Sequence, residues 1–130
     1  MTERRNADLA RRASEAFVEG DTETVFDHFS DRITYHVAGE SRISGTYRGL
    51  DEVIGLFEKL QEVTEGTFEL EVEEIADNDQ TAVVLTTARA QQQGRTYEWQ
   101  EAHVTRWEDG RMVEWMNFPR DQHTHDQAFG

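Results

Sequence analysis

Two histidines, His36 and His103, stand where an imidazole could do chemistry. His36 closes a strand-like run, Ile33-Thr34-Tyr35-His36-Val37, and a loop punctuated by Gly39, Gly45 and Gly49 follows it before the next helical pattern begins. A histidine at the mouth end of a strand, with a glycine-rich return into a helix, is how a small cup-shaped fold builds a pocket rim. His103 lies in a longer strand-like run over residues 96–107, whose period of two puts Tyr97, Trp99, Glu101, Thr105 and Trp107 on its own face. Imidazole takes and gives protons near neutral pH, so either ring could act as general acid or base. Glu101 is placed to raise the basicity of His103 as a charged partner, or to pair with an arginine on a solvated face; the sequence leaves both open.

Other residues suit ligand contact rather than proton transfer. Trp115 and Asn117 share one face of the last strand-like run, a flat apolar wall beside a hydrogen-bonding handle, or plain core packing. Phe17 is expected to face the same space from the first helix. Tyr47 lies in the glycine-bracketed loop and either lines the rim or anchors the loop. His123, His125, Asp121 and Asp126 sit close together near the C-terminus, but their spacing matches no helical or hairpin pair of metal ligands, so no metal site is expected. There is no glycine-rich phosphate loop, serine-centred elbow or His-Glu-x-x-His motif, and no cofactor is expected.

The elements that must position these residues follow from periodicity. Residues 3–19 read as a helix, with Leu9, Ala13, Ala16 and Phe17 on one face and Gly20 ending it. Asp21 caps a short second helix that buries Val25, Phe26 and Phe29. A third helix follows Gly49, with Asp51 and Glu52 in its first turn and Val53, Ile54, Phe57 and Leu60 as its apolar stripe. From Thr67 the period changes to two: four strands are expected at about 67–73, 81–91, 96–107 and 112–118. Asp109-Gly110 is a type I′ hairpin signal, and residues 120–130 read as a polar tail.

At 130 residues the chain is expected to form one domain. Its formal net charge of -14 opposes binding to nucleic acid or anionic membrane. Lys59 is the only lysine among 13 basic residues, which fits either a high-salt cytoplasm or a compositional bias toward arginine. No run is long and apolar enough to span a membrane, no apolar leader is read in Met1–Asn6, and cysteine is absent, so a cytoplasmic location is expected.

The order helix, helix, strand, helix, then four strands resembles the nuclear transport factor 2-like superfamily, and within it the SnoaL-like (polyketide cyclase-like) and ketosteroid-isomerase-like group. The resemblance covers about residues 5–126. It is carried by Ala16-Phe17-Val18-Glu19-Gly20-Asp21, by Gly45-Thr46-Tyr47-Arg48-Gly49, and by the segment from Arg106 to Trp115. It implies an α+β fold in which a cone-shaped, curved antiparallel sheet wraps around N-terminal helices and leaves a pocket at its wide end. It also implies a homodimer through the outer sheet face. Carried over by position, the isomerases' aspartate base falls at His36, their protonated oxyanion-hole aspartate at His103, and their oxyanion-hole tyrosine at Ala13. The chain departs from that pattern at all three, which argues against a steroid isomerase. The resemblance implies instead a pocket for a small, mostly apolar carbonyl compound. His36 and His103 are its candidate catalytic pair for isomerisation, cyclisation or dehydration, with Phe17, Tyr47, Trp99, Glu101, Trp115 and Asn117 as ligand contacts. The alternative is a non-catalytic binder or a dimeric interaction module of the same fold.

Overall fold

The computed structural model describes residues 5–130. The expected helix start at Glu3 and most of the segment read for a leader lie outside them. Helix α1 (Arg5–Val18) buries Ala10, Ala13 and Ala16 and ends at Gly20. Asp77 Oδ2 accepts the Ala7 N–H at 2.8 Å, and Asn6 donates to the carbonyls of Asn78 and Asp79. The start of α1 is thus tied to a distant strand turn. Helix α2 (Thr22–Asp27) is capped as expected, the Asp21 side chain accepting the Thr24 N–H.

Strand β1 (Phe29–Val37) is followed by a short strand β2 (Gly45–Arg48) inside the glycine-bracketed loop, and then by helix α3 (Leu50–Val63). The sheet continues with β3 (Glu69–Asp77), β4 (Thr81–Gln92), β5 (Arg95–Glu108) and β6 (Arg111–Pro119). The β5–β6 turn has positive φ at both Asp109 and Gly110, the type I′ geometry that matches strand twist.

The six strands form one curved, open sheet in the order β2-β1-β6-β5-β4-β3. The sheet is antiparallel, as expected, except at one place: β1 pairs with β6 in parallel. An early strand joining the last one is a non-local pairing that alternation cannot register. The helices pack on one face of the sheet, where Phe57 of α3 meets Phe17, Phe26, Phe29 and Tyr35 edge-on or tilted.

The polar tail is also corrected. Residues Gln122–Phe129 form helix α4, with Asp121 as N-cap accepting the Thr124 N–H. Its His125, Ala128 and Phe129 are buried, a spacing of three and four that gives one turn-to-turn face. Gln122 Nε2 donates to the Ala38 carbonyl, and the Arg42 N–H donates to the Phe129 carbonyl, so the loop after β1 holds both ends of α4.

Candidate functional site

The helical side of the sheet encloses a small cavity of about 30 Å³. Its walls are mostly apolar: Phe17 from α1, Phe57 and Leu60 from α3, Ile43 from the loop, Phe68 and Leu70 at β3, and Phe129 from α4. The polar groups converge from the sheet and α4: Tyr35, Glu101, His103, Asn117 and His125, with Ser14 from α1. A few polar groups on an apolar wall is the usual anatomy of a small-molecule site.

Strand β5 supplies the centre of this set. The pleat turns Trp99, Glu101 and His103 to the same side, and all three are buried. Trp99 Nε1 donates to Glu101 Oε1 at 2.5 Å, and His103 Nε2 bonds the other oxygen, Oε2. Burial raises the Glu101 carboxyl, but the charge and hydrogen bond of His103, helped by the Trp99 N–H, outweigh it and hold the group below the usual carboxylate range. An ionised carboxylate only accepts, so His103 Nε2 carries the proton in this bond. The other ring nitrogen, Nδ1, is buried without a partner.

Strands β1 and β6 complete the sheet side. Tyr35 stacks on Trp115 at 4.9 Å between centroids and 17° between planes, and His103 lies 4.8 Å from the same indole. Trp115 Nε1 donates to Asn117 Oδ1, which fixes the amide beside His103, its cross-strand neighbour. Burial above all, then the Glu101 charge, pushes the Tyr35 hydroxyl well above its ordinary value, against a hydrogen bond from Asn117. Tyr35 is therefore a neutral phenol across the physiological range.

The expected residues divide. Phe17, Glu101, His103, Trp115 and Asn117 line the cavity. Trp99 stands behind it, holding Glu101. Tyr47 anchors the loop by donating from its hydroxyl to the Ile43 carbonyl at 2.7 Å, and does not reach the cavity wall. His36 is the main correction: it lies on the outer face of β1, with Nδ1 3.1 Å from Thr46 Oγ1 and Nε2 3.1 Å from Glu114 Oε2. The expectation that His36 and His103 share one space fails on strand parity. Ile33, Tyr35 and Val37 are the buried residues of β1, so strand alternation turns Tyr35 inward and His36 outward, against the position carried over from the family resemblance.

Sequence reasoning misses Tyr35 and His125. Alternation from Ile33 through Tyr35 to Val37 carries the signal for the first. The Asp121 cap followed by the apolar spacing of α4 carries it for the second. Among the described residues, no three His, Asp or Glu side chains converge as a metal site, and no helix is long and apolar enough to cross a membrane.

The family model for the SnoaL-like domain matches residues 10–115, most of the chain. The chain belongs to the SnoaL-like domain family. Among similar proteins is an uncharacterized protein of Mycobacterium tuberculosis strain H37Rv, 26% identical over 122 residues that span 93% of each chain. Among solved structures, Bal32a from a soil-derived mobile gene cassette superposes with a TM-score of 0.94 at 23% identity, covering 100% of both chains. A protein of unknown function with a cystatin-like fold from Xanthomonas campestris gives 0.91 at 28% identity, covering 95% of this chain and 97% of that one. A nuclear transport factor 2-like protein from Burkholderia pseudomallei gives 0.87 at 24% identity, covering 96% and 97%. The fold is thus that of the nuclear transport factor 2-like superfamily.

Proposed function

We propose that this SnoaL-like domain binds a small, mostly apolar carbonyl compound in its cavity and moves a proton on it with His103. The observation that carries the reading is the buried Glu101–His103 pair facing an otherwise apolar space. In the neutral ring, with Nε2–H committed to Glu101, Nδ1 is the nitrogen left to accept a proton from the carbon next to the carbonyl. The electron pair of that C–H bond moves onto the carbonyl oxygen, giving an enolate, while Glu101 stabilises the imidazolium that forms. His103 then returns the proton to a carbon of the enolate. Glu101 acts here as a positioning residue, through the ring.

The test uses 2-tetralone, a compact apolar ketone with acidic α-protons, in deuterated buffer. Proton NMR should show deuterium entering the α-position faster with the protein than without. His103→Ala should abolish the acceleration, and Glu101→Gln should reduce it. Binding of 2-tetralone without accelerated exchange would leave a binder and end the catalytic reading.

The partner proposed for the outer face of the sheet is a second copy of this chain. Leu85, Ala102 and Phe118 line up across β4, β5 and β6, and Leu85 and Phe118 are 41% and 52% exposed. Arg106 and Glu114 lie side by side at 3.6 Å farther along β5 and β6, beyond the Val104–Met116 pair, so a two-fold related copy can set each arginine against the other's glutamate. The charge of -14 argues against a nucleic-acid or anionic-membrane partner, and the lack of cysteine fits a cytoplasmic setting.

A further inference from the structure

Helix α4 closes the cavity with a second imidazole that the proton-transfer reading does not use. His125 is 1% exposed, lines the cavity, and packs against Trp99 and Phe129 with ring centroids 5.7 and 4.9 Å away. Its Nδ1 has no hydrogen-bond partner. The nearest candidate, Asp126 Oδ1, is 3.6 Å away, too far for a hydrogen bond, and already accepts from Gln122 Nε2 at 2.9 Å. A buried polar nitrogen left unpaired by the protein is a place where a ligand atom gains what the fold does not supply.

We propose that His125 donates a hydrogen bond to an uncharged enol or phenol oxygen of the ligand, and that the site prefers such an oxygen to a carboxylate. The inference rests on the cavity being the ligand site and names the group that reads the ligand's oxygen. The nearby Asp126 carboxylate favours the tautomer with the proton on Nδ1, which makes that atom the donor. Burial is the largest influence on the ring and lowers its proton affinity, against the opposing charges of Glu101 and Asp126. A neutral imidazole can donate from one ring nitrogen without carrying a charge into the apolar space. Selection against carboxylates follows from Glu101. Its buried negative charge acts on His125 through the same low-dielectric space, and a second carboxylate would be desolvated beside a like charge. A neutral hydroxyl meets no such penalty.

Three probes with one apolar body separate the effects: naphthalene, 2-naphthol and 2-naphthoate, titrated by tryptophan fluorescence. For the wild type, 2-naphthol should bind about tenfold tighter than either of the others, a difference of about 1.4 kcal/mol. His125→Leu should bring 2-naphthol to within about threefold of naphthalene while leaving naphthalene itself little changed, and His125→Gln, which keeps a donor, should retain part of the advantage. Should His125→Leu fail to fold, nitrogen-15 NMR of the wild-type ring decides: the His125 Nδ1 resonance should shift with 2-naphthol and stay in place with naphthalene. An advantage that survives His125→Leu, an unmoved Nδ1 resonance, or 2-naphthoate binding as tightly as 2-naphthol would overturn the proposal. If 2-tetralone is still exchanged in any of those cases, the proton-transfer reading stands and only the role of His125 falls. If none of the probes and no 2-tetralone binds, both fall together.

Discussion

Glu101 and His103 lie two residues apart on β5, and the pleat brings the carboxylate and imidazole together out of water. The pair is held from both sides, by Trp99 on the second carboxylate oxygen and by the Trp115 indole against the ring. Such a pair costs desolvation that its own attraction must offset, so its presence is weak evidence for stability. Breaking it leaves one buried charge or polar ring without its partner. Glu101→Leu is expected to destabilise the protein by about 3–5 kcal/mol. The double variant Glu101→Leu/His103→Leu should recover much of that loss. Urea denaturation of the single and double variants checks this; a double variant less stable than Glu101→Leu would mean that the two side chains do not act as a pair.

The pH dependence of stability follows from three buried groups. His125 has its proton affinity lowered by burial, so the unfolded chain binds the proton first as pH falls. Its contribution is full above the ordinary histidine value of about 6.5 and is lost as pH drops through and below it. Glu101 is also held low, so its contribution is present above the ordinary carboxylate range and lost as pH falls through its folded value. Tyr35 is raised, chiefly by burial, so its contribution is present below the ordinary tyrosine value of about 10 and lost as pH rises beyond it. Unfolding free energies from pH 4 to 10.5 should therefore show a plateau near pH 7–9 with losses on both sides. In His125→Gln the first acid limb, beginning near pH 6.5, should disappear. An unchanged limb in that variant would place its origin elsewhere.

How much of this site is legible in the sequence depends on local regularity. The β5 run alternates cleanly, so alternation alone assigns Trp99, Glu101 and His103 to one face, and it does the same for Trp115 and Asn117 on β6. Helix α2 is legible because Asp21 caps it through its own side chain. His36 is misplaced because its position is carried over from the resemblance, whereas alternation from Ile33 through Tyr35 to Val37 puts it on the other face, one residue from the inward place. Helix α4 escapes notice because eight polar-looking residues carry little helical signal alone; it is held by the loop at Ala38 and Arg42. The parallel pairing of β1 with β6 joins segments far apart in the chain, as Tyr35 opposite Trp115 shows, and no local pattern encodes it.

His36 and Phe17 should separate surface from core. His36 pairs with Glu114 where their side chains are 36% and 31% exposed, the setting in which an ion pair contributes little. His36→Ala is expected to cost about 1 kcal/mol or less. Phe17 lies partly buried between Phe57 and Phe68, with centroids 5.6 and 5.8 Å away. Phe17→Ala should cost about 2–4 kcal/mol, toward the lower end for a buried ring because the site is not fully enclosed. It should also weaken 2-tetralone binding, whereas His36→Ala should not. Thermal melts with a binding titration on each variant make the comparison, and a His36→Ala variant that loses binding would restore that ring to the site.

The outer face is tested by charge. Replacing Phe118 with Glu places a carboxylate in the middle of the Leu85–Ala102–Phe118 line, where a dimer would have to bury it. Light scattering at micromolar concentration should give twice the chain mass for the wild type and the chain mass for Phe118→Glu. Because the chain carries a net charge of -14, raising the salt should strengthen the wild-type dimer by screening repulsion. A wild type that stays monomeric at high salt would remove the second copy as the occupant of this face.

Helix α4 is expected to be the least independent part of the cavity wall, because it seats against a residue with no side chain. Gly39 has φ +94, and a Cβ there would lie 2.2 Å from both Asp126 Oδ1 and Gln122 Nε2. These are the ends of flexible side chains, so the helix can shift, but the positive φ strains any other residue as well. Gly39→Ala is therefore expected to cost about 1–2 kcal/mol and to disturb the Gln122–Asp126 hydrogen bond. Loosening α4 lifts His125 and Phe129 away from Trp99, so hydrogen exchange in residues 122–129 should accelerate while β5 amides stay protected. The same variant should bind 2-naphthol less tightly and keep the secondary structure of the sheet. If exchange rises across β5 to the same extent, α4 is part of the global folding unit and not a separately opening wall.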